Sequence, residues 1–297
     1  MTPSQVESGH AFEYGIAASF SRIYGNATLV QNSAAENAQA AFQACDDVEQ
    51  DKIFRASDEA AAFLVAHDLN LRMRDGYQIT LQSDMAGSKG DVRDVIIFNT
   101  HSEVGISAKN RHTAVKNPRL SEKNNFGRRW FGIPVSDAYF HALGPIFGEL
   151  RKLQRRGAIW NDFIDTKAAR FYIPVLTAFR DEVVRLCASH PEVPQKMVAY
   201  MLGNFDFYKV IKENGNVSIQ SFNLRGTLGW GKRLHLPTRL VDIREKVESD
   251  NTLDLIFDGW QFSFRLHSAE TRVIPSMKFD VRITSLPNAT AQDIHYG

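Results

Sequence analysis

Two aspartates and a lysine stand close together in the stretch GDVRDVIIFNTHSEVGISAKNRH, Gly90 to His112. Carboxylates hold hard divalent cations through oxygen, and a bound Mg²⁺ neutralises an anionic phosphodiester while making its water more acidic. An ammonium beside the same phosphate orients the nucleophile and stabilises the charge that develops. Asp94, followed by an acid-x-Lys ending at Lys109, would be a compact arrangement for metal-dependent phosphodiester hydrolysis. The position two before Lys109 is Ser107, however, so the second acid is missing from its usual place.

Whether these groups meet depends on the chain between them. Asn99-Thr100-His101-Ser102 is a polar tetrad suited to a tight turn, and the residues on either side read as two paired strands. With the turn centred there, opposed positions sum to about 201, so Asp94 faces Ser107 and Lys109 is one same-face step further. Directly opposed Cβ atoms lie ~5 Å apart, which lets Asp94, Ser107 and Lys109 converge. Glu103 is ~20 Å from Lys109 along a regular strand, too far to share an ion, and is expected as a solvated turn residue. Two other carboxylates are candidates for the missing ligand: Asp91, just upstream of Asp94, and Glu13 on a predicted first helix.

A basic segment follows the lysine. Between Lys109 and Arg129 there are seven Lys or Arg residues against one acid, Glu122. Asn110, Asn117, Asn124, Asn125 and Pro118 predict a loop rather than a regular helix. Such a loop is placed to hold phosphates and touch base edges through Asn110, Arg111, Lys116, Asn117 and Arg119. Towards the C-terminus Arg225, Arg265, His267 and Lys278 are further candidates, because arginine can bridge guanine O6 and N7 with two hydrogen bonds. The run RKLQRR, Arg151 to Arg156, reads instead as a solvated helix face. His112 near Asn110 raises a nuclease type in which two histidines and an asparagine hold one metal. No second histidine at metal spacing follows, so that reading is set aside.

The elements that must position these residues are legible in outline. Phe12, Ile16, Phe20 and Ile23 recur at helical spacing and Gly25 follows, predicting an amphipathic helix over 8–24. The Ala-rich run 34–48 predicts a second helix, and Ser57-Asp58-Glu59 the start of a third ending near Gly76. Tyr77, Ile79 and Leu81 alternate as in a half-buried strand. From Ser136 to about Gly203 the pattern is helical, with Pro174 suited to a first turn. Beyond Phe205, VSIQSFNL, TLDLIF, WQFSFRL and MKFDVRIT alternate and are rich in aromatic and β-branched residues. The fold class is mixed α/β.

The 297 residues, 43% hydrophobic, suffice for a sizeable core, and a net charge of +1 gives no general pull on polyanions. Any nucleic-acid affinity must come from local clustering. Cys45 and Cys187 lack metal-ligand spacing and are expected as reduced thiols of a cytoplasmic protein. MTPSQVESGH does not read as a secretory signal, and no apolar run nears the ~20 residues of a membrane span.

The segments GHAFEYGIA, GDVRDVIIF and EVGISAKNRHTAVKNPRLS resemble type II restriction endonucleases of the HaeIII type, within the PD-(D/E)xK nuclease superfamily. SFNLRGTLGW and FSFRLHSAETRVIPSMKFDVRI resemble the β-rich part of such enzymes, so the likeness covers most of the chain. It implies a restriction-endonuclease-like core, a mixed sheet flanked by helices, in a single domain over 1–297. Within it, 1–130 would hold catalytic segments, 131–204 a helical region and 205–297 a β-rich DNA-recognition region. It implies cleavage of double-stranded DNA at a short G/C-only palindrome, GGCC, beside a protecting methyltransferase. Mg²⁺ would be the cofactor, with Mn²⁺ a substitute, and the enzyme a monomer or homodimer. By position Asp94 and Lys109 match the superfamily's first catalytic Asp and its Lys. Glu13 matches the glutamate that a preceding helix often brings to the metal. Ser107 departs from the pattern, leaving Asp94, Glu13 and Ser107 as the implied metal ligands and Asp91 a possible addition. A junction-resolving or repair nuclease, and an inactive DNA-binding protein on the same fold, are the alternatives.

Overall fold

The first helix is held by small residues as much as by large ones. Phe12, Ile16 and Phe20 are fully buried along one stripe, as their spacing predicts, and Ala11 and Ala17 are buried beside them. A Cβ on Gly15 would stand 2.4 Å from Ile53 Cγ2 and 2.8 Å from Ser57 Oγ, so two helices cross here at a distance that only glycine permits.

The computed structural model describes residues 5–25, 27–72, 76–83, 85–88, 90–111, 114–268, 270–287 and 290–297. Its helices are α1 (Gln5–Tyr24), α2 (Ser33–Gln43), α3 (Asp47–His67), the single turn α4 (Met85–Ser88), α5 (Phe126–Phe131), α6 (Asp137–Arg155), α7 (Ile173–Ser189) and α8 (Val193–Leu202). The early strands are β1 (Thr28–Leu29), β2 (Gln78–Leu81), β3 (Val95–Phe98), β4 (Glu103–Asn110), β5 (Ala114–Lys116) and β6 (Arg119–Leu120). The later ones are β7 (Phe207–Lys212), β8 (Asn216–Phe222), β9 (Leu240–Glu245), β10 (Thr252–Phe257), β11 (Gln261–His267), β12 (Met277–Ser285) and β13 (Ala291–His295).

Several predicted boundaries move, and the second and third helices end at Gln43 and His67 rather than at Val48 and near Gly76. The third helix begins ten residues early, at Asp47 rather than Ser57, because the Asp46 side chain accepts the N–H of Glu49 and caps it there. Ser57 is buried in its middle. The basic segment expected as a loop forms β5, β6 and α5, since Asn125 accepts from Arg128 N and caps a short helix whose apolar residues are buried. Pro174 does sit in the first turn of α7.

The chain forms two compact units. Residues 1–113, 203–235 and 288–297 make the first, and residues 114–202 and 236–287 the second. The stretch 205–297 is thus divided between them. In the first unit a mixed sheet runs β1-β2-β3-β4-β7-β8-β13, parallel at β1/β2 and at β4/β7 and antiparallel elsewhere. One face of it, with Val95, Ile97, Val104, Ile106 and Ala108, shares a core with α1, α2 and α3. The opposite face carries Asp94, Ser107 and Lys109. In the second unit an antiparallel sheet runs β5-β12-β11-β10-β9, with β6 also on β12. Its apolar face packs with α7, where Phe179 meets Phe264 and Phe279 ring to ring. Among the described residues no helix is long and apolar enough to cross a membrane.

Alanine at Gly15 should improve helix propensity by about 1 kcal/mol, but overpacking against Ile53 should cost about 1–3 kcal/mol. Gly15→Ala is therefore expected to lower the urea midpoint of unfolding.

Candidate active site

The hairpin pairs Val95 with Ile106, Ile96 with Gly105, Ile97 with Val104 and Phe98 with Glu103. This is the register that sets Asp94 against Ser107. A polar turn fixes it: Asn99 Oδ1 accepts the N–H groups of His101 and Ser102, each at 2.8 Å. Asp94 stands just ahead of β3 with both backbone groups bonded. Its N–H donates to Ile106 O at 2.8 Å, and its carbonyl accepts Gln82 N at 2.9 Å.

On this frame one carboxylate oxygen gathers three donors. Asp94 Oδ2 accepts Ala108 N–H at 2.8 Å, Lys109 Nζ at 2.8 Å and Ser107 Oγ at 3.2 Å. Ser107 is buried, whereas the Asp94 and Lys109 side chains keep 23% and 24% of their surface exposed. Asp94 Oδ1 takes no hydrogen bond among the described residues. The three residues that the sequence brought together are together here.

The other carboxylates have different surroundings. Asp91 Oδ1 accepts Arg93 N and Nε, and Oδ2 accepts Arg93 Nη2 at 2.8 Å. Arg93 Nη1 reaches Glu103, and the guanidinium lies 3.8 Å from the ring centre of Phe205. Glu103, expected to be simply solvated, is half exposed and paired. Room for Arg93 comes from Gly105, where a Cβ would fall 1.9 Å from Arg93 Cδ. Burial alone would raise the Asp91 carboxyl, but hydrogen bonds from Arg93 and Gln82 outweigh it and hold the group below its ordinary value. Glu13 is half-buried on α1, the helix that packs on β4.

Sequence reasoning passed over two residues. Arg93 is one, because an arginine beside an aspartate reads as a surface pair. Lys209 is the other: β7 runs parallel to β4 and places it beside Ser107, and it is 3% exposed. A lysine inside the apolar run FYKVIK was the available signal.

The expected DNA-facing residues separate into inward and outward groups. Asn110 Nδ2 donates to Ser8 O at 3.1 Å, tying β4 to the start of α1. Lys116 Nζ donates to Tyr200 O at 2.7 Å and lies over the Tyr200 ring. Burial, and then the nearby charge of Arg129, pushes its ammonium down to about 8. Arg111, Asn117, Arg119 and Arg265 are exposed, while Lys278 and His267 are half-buried. His267 is held below its ordinary value by burial and by Lys278 and Arg265, despite its bond to Ser268 O. Arg225 is partly exposed on a loop that Asp206 organises by accepting the N–H groups of Leu224, Arg225 and Thr227. His112 lies outside the described residues.

The model of the HaeIII restriction endonuclease family matches residues 9–287. The chain belongs to that family. It is 35% identical to the type II restriction enzyme HaeIII of Haemophilus aegyptius, over 97% of this chain and 96% of the relative. No solved structure matches it. The mixed sheet flanked by helices is consistent with a restriction-endonuclease-like fold.

Restriction enzymes of this class generally use a divalent metal, so the donor set matters. Among the described residues no three His, Cys, Asp or Glu side chains are placed around one ion, and Asp91 is committed to Arg93. Mg²⁺ is commonly held by only one or two carboxylates, the rest of its shell being water and substrate phosphate. The open, partly exposed Oδ1 of Asp94 meets that requirement.

Removing Asp91 would strand a buried guanidinium, whereas Glu103 is half in solvent. Asp91→Ala should cost about 3–5 kcal/mol and Glu103→Ala at most about 1 kcal/mol, measured by chemical denaturation. Because the Asp91 carboxyl is depressed on folding, its contribution is present above the ordinary aspartate value of about 4 and disappears as pH falls below it. Asp91→Asn should flatten that acid limb of the stability curve.

Proposed function

We propose that this protein is a Mg²⁺-dependent type II restriction endonuclease that cuts double-stranded DNA at GGCC, paired in its host with a methyltransferase that protects the same sequence. The observation that carries the reading is the convergence of Ser107, Ala108 N–H and Lys109 on one oxygen of Asp94, with the other oxygen open, in a chain of this family.

Asp94 would hold the metal, with Glu13 and the Ser107 hydroxyl as the further ligands that the family pattern suggests. The ion, when bound, supplies charge neutralisation and an acidified water. Lys109 is held by Asp94 at the edge of the site, where its ammonium can also meet an arriving phosphate. There it orients the attacking water and stabilises the charge that builds on the phosphoryl oxygens. Ser107 and Ala108 N–H fix the carboxylate rotamer, so Asp94 meets the ion without first reorganising. Lys209, one strand away at the level of Ser107, adds positive charge to the same face.

Recognition falls, in this reading, to the six-stranded sheet of the second unit, with Arg225 of the first unit a separate candidate for DNA contact. Cutting both strands of a palindrome takes two copies of the chain or two successive attacks by one. Ser107 in place of an acid favours one other reading, a decayed nuclease that only binds.

With Mg²⁺ the protein should cut plasmid DNA into a discrete ladder whose sequenced ends all fall at GGCC. Asp94→Asn and Lys109→Ala should each lower the cleavage rate by about 10²–10³-fold while leaving DNA binding in place. Specific binding without cleavage, in Mg²⁺ or Mn²⁺, would establish the decayed site. Cutting confined to branched DNA would point to a junction nuclease.

A further inference from the structure

The sheet of the second unit has two unlike faces. Leu253, Leu255, Phe262, Phe264, Phe279 and Val281 form the buried one. On the other, the register sets Arg265 directly opposite Asp280 and Ser263 opposite Arg282, while Asp254 lies between Ser263 and Arg244. His267 opposes Lys278, which in turn opposes Arg119. Arg244, Arg265 and Arg282 are exposed. Asp280 is 7% exposed and its Oδ2 accepts Arg282 Nη2 at 3.1 Å. Oδ1 of Asp254 is shielded from solvent and has no hydrogen-bond partner among the described residues.

Carboxylates are out of place on a surface meant for phosphates, which they repel. A shielded carboxylate oxygen without a donor also carries a desolvation cost. Both features make sense if the ligand brings a donor of its own and the exposed side chains of Arg244, Arg265 and Arg282 turn towards it, uncovering the carboxylates. The major-groove edge of a G·C pair offers two acceptors, guanine O6 and N7, and beside them one donor, the cytosine 4-amino group. An arginine next to an aspartate presents the complement: paired N–H donors and one acceptor. Around the two aspartates this face holds Thr252, Ser263, Arg265 and Arg282, and an amide, Gln261, stands at the start of β11.

We infer that Asp254 and Asp280 are specificity-determining residues that accept hydrogen bonds from the 4-amino groups of target cytosines, each working beside an arginine of the same face that reads the paired guanine. The inference rests on the proposed DNA cleavage and deepens it. It makes both strands a point of contact at the G·C pairs that these aspartates meet, not the guanine alone.

The test is a binding cycle with the full-length protein and a GGCC duplex, with Ca²⁺ replacing Mg²⁺ so that the DNA stays intact. Each target cytosine is replaced in turn by pyrimidin-2-one, which lacks the 4-amino group. The wild type should bind at least one of these duplexes about ten-fold or more weakly than the natural site. Asp254→Ala or Asp280→Ala should bind the natural duplex more weakly and lose that discrimination at its own cytosine. Equal binding of natural and analogue duplexes by the wild type overturns the inference without recourse to any variant. So does a variant that is weakened on the natural duplex and still discriminates, since that marks a merely structural aspartate. A wild type that binds and cuts no GGCC duplex overturns the proposed function and this inference with it, a result distinct from either of the others.

Discussion

Oδ2 of Asp94 is the point on which the first unit turns. Three donors share it, and each comes from a different constraint: a hydroxyl set by strand register, a backbone N–H set by the ladder, and an ammonium one same-face step further on. None would be in place if the hairpin slipped by one residue, because every side chain would then change face. The Asn99 turn and the bonded backbone of Asp94 guard against that slip. Charge on this scale is tolerable because the side chains stay about a quarter exposed, so water still solvates the open oxygen.

A second arrangement holds the neighbouring carboxylates of the same hairpin. Arg93 is buried between Asp91, Glu103 and Phe205, in space that Gly105 leaves empty. A buried guanidinium with each of its three nitrogens bonded to a carboxylate cannot be moved cheaply, so the two acids it holds stay fixed. The acidic look of the GDVRD and SEVG segments is therefore misleading: two of their three carboxylates are bound to one arginine, and the third, Asp94, keeps an oxygen open.

The register was legible because a polar tetrad between two apolar runs allows few turns, and the turn fixes every pair beyond it. The roles of Asp91 and Glu103 were not, since they depend on an arginine folding over a glycine, which spacing along the chain does not disclose. The start of α3 was misplaced because Ser57-Asp58-Glu59 resembles a cap as closely as Asp46 does, and burial of Ser57 decides between them. The basic segment read as a loop since its asparagines are frequent in turns. In the fold, pairing of β5 and β6 with β12, some 160 residues later, overrides that local preference. Two interleaved units are equally hidden, because no change in composition marks where the chain leaves one and enters the other.

The parallel pairing of β4 with β7 has a consequence for synthesis. The hairpin carrying Asp94, Ser107 and Lys109 is local and can form early, but its outer edge is completed by residues 207–212, about a hundred positions downstream. Until that strand has left the ribosome, β4 is an unpaired edge with Ser107 and Lys109 uncovered on one side. A nascent chain therefore carries this hairpin in an unfinished sheet for several seconds at ordinary rates of about 5–20 residues per second. The finished site is a property of the nearly complete chain, so a ribosome that stalls before β7 releases a fragment without it.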